Sequence, residues 1–174
     1  MPESSDAPAR PLPQIHRATV HQHDENVTIA VRNNVILFVG RGLVTIQSLE
    51  CTMRVRGELT AAYPDGLSLL VLAHGMPALP SADVQKYAVT KLPRANPALK
   101  SIALITPQKG FWVSALRSML TPLFRTRSDF MRISMFSDVQ AAAEWTATQL
   151  AGPPQLQGNI ERTIGEMLEL PLPE

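Results

Sequence analysis

Two periods alternate along the middle of the chain. "VTIAV" (27–31) and "VILFV" (35–39) are short β-rich runs on either side of "RNN". Asn33 and Asn34 tolerate positive φ, so the two runs predict a tight antiparallel hairpin. From about Leu43 to Ala62 the chain lacks proline, and Ile46, Leu49 and Met53 recur at helical spacing, as do Cys51, Val55 and Leu59. "YPDG" (63–66) stops that helix with turn chemistry. "LSLLVLA" (67–73) and "KSIALIT" (100–106) are continuous apolar runs of strand length, the pattern of strands covered on both faces. Between them "HGMPALP" reads as a loop and Ser81 as an N-cap, its oxygen placed to accept from the N–H of Asp83 or Val84. A helix then runs from about Ala82 to at least Leu92, with Pro93 and Pro97 marking its decline. A further helix is predicted from Phe111 to Phe124, with Leu116, Leu120, Leu123 and Phe124 on one face and Pro122 kinking it or marking its last turn. "FMRISMF" (130–136) alternates like a half-covered edge strand, and Ser137 caps a helix from Asp138 to about Leu150.

The predicted order is ββαβαβαβα. Strands joined by helices pair in parallel through right-handed crossovers, and the hairpin adds an antiparallel pair. The expected fold is α/β: a mixed five-stranded sheet with helices packed against it, plus an extra C-terminal helix. Eight of the 15 prolines fall in residues 1–13 and 153–173. That divides the chain into a flexible N-terminal tail (1–24), a folded domain (25–151) and a C-terminal extension (152–174). In the extension Ile160, Ile164, Met167 and Leu168 form one apolar helical stripe. Such a stripe must be covered, by its own domain, by a second copy of the chain through residues 156–169, or by another protein.

Composition narrows the function classes. The 174 residues carry a formal net charge of +1, with 45% hydrophobic and 18% charged residues. The charge exerts no global pull toward nucleic acid or anionic membrane. "MPESSDAPARPLPQ" lacks the apolar core of a signal peptide, and the apolar runs are too short to span a bilayer, so a cytoplasmic protein is expected. Cys51 is the single cysteine, which excludes a disulfide within the chain and leaves it as a small hydrophobe. No cofactor is implied, and no catalytic set can be assembled from four His and one Cys.

The stretch 102–150, and within it "MFSDVQAAAEW" (135–145), resembles the C-terminal half of STAS-like domains of the SpoIIAA-like, anti-sigma-factor-antagonist-like type. The element order agrees over about residues 27–150. The resemblance implies a STAS-like fold and a non-enzymatic role: regulated protein–protein interaction in bacterial signalling, with a kinase or anti-sigma-like regulator as partner. It also places Ser81 at the phosphoacceptor position of that family. Here Pro80 stands where the family has Asp, and Ala82 where it has Gly.

The candidate interaction surface centres on the loops after the third and fourth predicted strands: His74, Thr106, Lys109, Gly110, Phe111 and Trp112. "TPQKGFW" (106–112) can present Lys109 to an anion, but its single Gly after the Lys is not a phosphate-binding loop. An aromatic of the Phe111–Trp112 pair left at the surface would be a docking anchor. His21 and His23, with His16 nearby, form an H-x-H pair that on a strand would share one face and could ligate metal, though no third ligand is evident. Arg125, Arg127 and Arg132 form a basic set able to meet phosphates. Two other readings stand beside partner binding: a small-ligand or lipid-binding module, which requires an apolar pocket beneath the helices, and a structural homo-oligomer.

Overall fold

A computed structural model describes residues 17–75, 77–91, 98–125 and 131–173. Six strands form one sheet: β1 (Thr19–His23), β2 (Val27–Arg32), β3 (Val35–Gly40), β4 (Leu67–Ala73), β5 (Leu99–Ile105) and β6 (Arg132–Phe136). They lie side by side in chain order. The first three form an antiparallel meander, and β3 to β6 run parallel. The crossovers are α1 (Ile46–Ala62), α2 (Ala82–Lys91) and α3 (Phe111–Arg125). Because the parallel strands advance in one direction, crossovers of one hand all fall on one face. After β6 the chain turns to the other face, where α4 (Val139–Gln149) packs on β4 to β6 and α5 (Gln155–Glu169) on β2 and β3.

The architecture is therefore α/β with a mixed sheet between two helical layers, and it has one strand more than expected. The extra strand is β1, which lies inside the segment read as a tail over 1–24. Its sequence hides it. A bulge between Val20 and Gln22 breaks the two-residue period, and Val20 is its only buried residue. The hairpin of β2 and β3 follows expectation, with Asn33 at φ +53°. Asn34 ties this turn to the next strand: its Nδ2 donates to the Gly66 carbonyl and its carbonyl accepts from Ser68 N.

Strand alternation supplies two cores. Ile29, Ile36, Leu69 and Ile102 face α1, while Leu37, Leu70 and Ala103 face α4 and α5. Both faces being covered explains the unbroken apolar runs in β4 and β5. Helix starts differ slightly from expectation. The first helix starts at Ile46 rather than about Leu43, and Thr45 caps it through a reciprocal box with Ser48. Asp138, not Ser137, caps α4, accepting from Ala141 N at 2.7 Å.

The apolar stripe of α5 is covered by its own sheet. Leu156, Ile160, Ile164 and Met167 are each 2% exposed or less. The homodimer through residues 156–169 therefore has no free stripe to use. Two arginines add to the docking. Arg32 on β2 donates to Thr163 Oγ1 at 2.8 Å and to Asn159 Oδ1 at 2.9 Å. Arg41, just past β3, donates to the Met167 carbonyl in the last turn of α5, where a cation suits the helix dipole. Helix α5 thus forms part of the helical layer on this face of the sheet. Among the described residues no helix is long and apolar enough to cross a membrane.

Candidate functional site

The parallel strands β3, β4 and β5 end close together, at Gly40, Ala73 and Ile105. At that end, between the sheet and helices α1 and α2, lies a cavity of about 140 Å³. The described residues that shape it include Phe38, Leu69 and Leu104 from the sheet, Leu49 from α1, Val84 from α2 and Leu116 from α3. Its lining is almost wholly apolar. Pro77, Ala78 and Pro80, from the segment before α2, complete its wall. Open α/β sheets place ligand sites at the carboxyl ends of their strands, which is where this cavity lies.

Of the residues singled out from sequence, Thr106 borders the cavity, and His74, Ser81, Lys109 and Gly110 lie on the loops that follow β4 and β5. Thr106 is buried, borders the cavity, and donates its N–H to the Phe136 carbonyl at 2.9 Å. His74 follows β4, with its N–H bonded to the Gly40 carbonyl at 2.8 Å and its side chain exposed. Ser81 is exposed at the start of α2. Its Oγ accepts from Val84 N at 3.4 Å, as expected of a cap, and its carbonyl accepts from Gln85 N at 2.9 Å. Lys109 and Gly110 are exposed, and Gly110 has φ +88°, a left-handed bend that suits glycine and leads into α3. Phe111 and Trp112 open α3, but their side chains lie outside the described set, as does the question of which one is buried.

Sequence reading missed Gln108. From the loop after β5 its Nε2 donates to the carbonyls of Ala73, at 3.1 Å, and Gly75. It thereby joins the loops that follow β4 and β5. Gln85 makes a similar tie, Nε2 to the Pro80 carbonyl at 2.8 Å. A glutamine in a loop gives no sequence signal for either role.

A second, larger cleft of about 730 Å³ lies between β1 and α1. Its polar groups mostly satisfy one another. Asp24 accepts from Gln22 Nε2 and from the amides of Asn26 and Val27. Burial alone would push that carboxyl up, but these hydrogen bonds outweigh it and hold it below its ordinary value. Asn26 Oδ1 accepts from Leu43 N, and Cys51 Sγ from Arg54 Nη2 at 3.6 Å. Cys51 is half-buried and packs beside the α1 core. With Asp24, Asn26 and Cys51 already bonded, this cleft is the weaker candidate.

The H-x-H pair does not share a face. The β1 bulge turns His21 into the α1-side cleft. There burial lowers its pKa, Glu58 opposes the shift and Arg54 adds to it. His23 instead meets Thr28 Oγ1 and the Pro171 carbonyl beyond α5, each at 2.9 Å. Among the described residues no three His, Cys, Asp or Glu side chains gather as metal ligands. Of the basic set, Arg132 is exposed, while Arg127 and the Arg125 side chain lie outside the described residues.

The fold and site define an α/β protein with an apolar cavity at the carboxyl end of its parallel strands. No family model matches the chain, no curated protein matches it, and no solved structure matches it.

Proposed function

We propose that this protein is a non-catalytic binding module for a small apolar molecule. The observation that carries the reading is the cavity itself: about 140 Å³, almost wholly apolar, at the strand ends. An apolar cavity of about 150 Å³ stays dry and admits a benzene-sized guest. Water gains little there, because a buried water needs two to four polar partners. A well-packed core would close such a space, since voids are destabilising. The exposed side chains of His74, Leu79, Ser81 and Lys109, on the loops that follow β4 and β5, are then the surface on which a protein partner would read the occupied state. That keeps the regulatory role implied by the STAS-like resemblance within the same proposal.

Titration with benzene, followed by amide and methyl NMR, tests it. The expected result is saturable shifts at Leu69, Val84, Leu104 and Leu116, extending to the amides of His74 and Ser81. Shifts that never saturate would sink the binding reading. Saturation confined to the cavity would remove the regulatory part alone.

A further inference from the structure

The sheet ends on β1 at one side and on β6 at the other. The bulge between Val20 and Gln22 blunts the β1 edge, one of the devices by which native sheets avoid pairing with other chains. β6 carries no such device. It runs in unbroken register with β5 and contains no proline. Its hydrogen bonding has a direction. Thr106 N donates to the Phe136 carbonyl, so the main-chain groups of Phe136 face β5, and at a period of two so do those of Ser134 and Arg132. The N–H and C=O groups of Ile133 and Met135 therefore point off the sheet. Among the described residues no further strand lies beyond them. The side chains from Ile133 to Phe136 are only half-buried.

We propose that the β6 edge pairs with the β6 edge of a second copy of this chain, antiparallel about a twofold axis at Ser134, so that the sheet continues across the dimer. The strand's own sequence selects that occupant. In this register every residue of Arg132–Phe136 is paired. Ile133 falls opposite Met135 of the second copy. Both are residues whose main-chain groups point outward, so each such pair exchanges both of its ladder bonds. Ser134 meets its own copy as the non-bonded pair between them. Arg132 falls opposite Phe136 and not opposite another arginine, which sets a cation beside a ring instead of like charges together. Phe136 is already held by Trp145, with ring centroids 5.4 Å apart. Ile133 and Met135 lie against the core on the α1 side, so their pairs carry that apolar layer across the axis. A twofold interface needs such self-complementarity. Neither the cavity nor α5 takes part in it.

Sedimentation of the full chain, with two variants, tests the pairing. The native protein should reach twice the chain mass of 19.1 kDa as its concentration is raised. Met135→Pro removes an N–H that β5 does not use. Each copy then loses one bond of the new ladder, and association weakens about tenfold or more. Ser134→Cys, made with Cys51→Ala, sets two thiols opposite each other at the axis, where the spacing of a non-bonded antiparallel pair suits a disulfide. Mild oxidation should give a covalent dimer on a non-reducing gel. A native chain that stays at 19.1 kDa up to its solubility limit overturns the proposal and leaves the edge to a strand of another protein. A dimer that Met135→Pro leaves intact, or that Ser134→Cys does not cross-link, overturns it as well. The native mass and the cross-link decide the matter even if the proline variant fails to fold.

Discussion

Filling the cavity should stabilise the protein and abolish binding together. Ala88 lines the cavity from α2 and is half-buried. Ala88→Leu adds three carbons, each worth about 0.8 kcal/mol when buried, or about 2.4 kcal/mol in all. Ordering the new side chain costs about 0.5–1 kcal/mol. The net expectation is a gain of about 1.5 kcal/mol, with leucine as good a helix former as the site needs. Urea denaturation followed by circular dichroism reads the gain as a higher midpoint at unchanged slope. Benzene provides the second readout. It stabilises the native protein in proportion to occupancy, by about 2.7 kcal/mol at a hundredfold excess over Kd. It should leave Ala88→Leu unmoved. A variant destabilised by about 1 kcal/mol or more, the signature of overpacking, would refute the reasoning, and so would undiminished stabilisation by benzene.

Thr146 on α4 is fully buried, and its Oγ1 has no hydrogen-bond partner among the described residues. Thr146→Val keeps the shape and removes the orphan, so it should raise unfolding free energy by about 1 kcal/mol, and a loss instead would mean the hydroxyl is bonded. His21 sets a pH dependence: its folded pKa lies below the ordinary 6.5, chiefly through burial, with Glu58 and Arg54 as the charges facing it. The unfolded chain therefore binds its proton first, so its contribution is full above pH 6.5 and fades as pH falls through the folded value. His21→Gln should flatten the denaturation midpoint against pH across that window. An unaltered slope would exclude the assignment.

The parts of the fold legible from sequence were those with strong local chemistry. The Asn33–Asn34 turn, the continuous runs of β4 and β5, and the Ser81 cap each carry their own signal. What escaped was set by tertiary contact. The bulge in β1 removes the alternation that would reveal a strand, and it sends His21 and His23 to opposite faces. The stripe of α5 was visible, but not its cover. Arg32 and Arg41 look like surface charges until the sheet brings Asn159 and Met167 to them. The candidate site was half legible. His74, Thr106 and Ser81 fall at strand ends and helix starts, where topology alone points. The cavity is not, because Phe38, Leu69, Val84 and Leu116 meet only after three crossovers have stacked.

Strands that lie in chain order can be added one at a time. Each new strand finds its partner in the one just laid down, so the two hairpin pairings close short loops and the three parallel pairings each close a single helical crossover. α5 breaks that rule. It is the last described element to be made, yet it covers β2 and β3, among the first. Until it arrives, one face of the opening hairpin has no cover, and Leu37 and Val39 remain open to water or to another nascent chain. A chain cut short before Gln155 would keep every strand and still be the species most prone to aggregate.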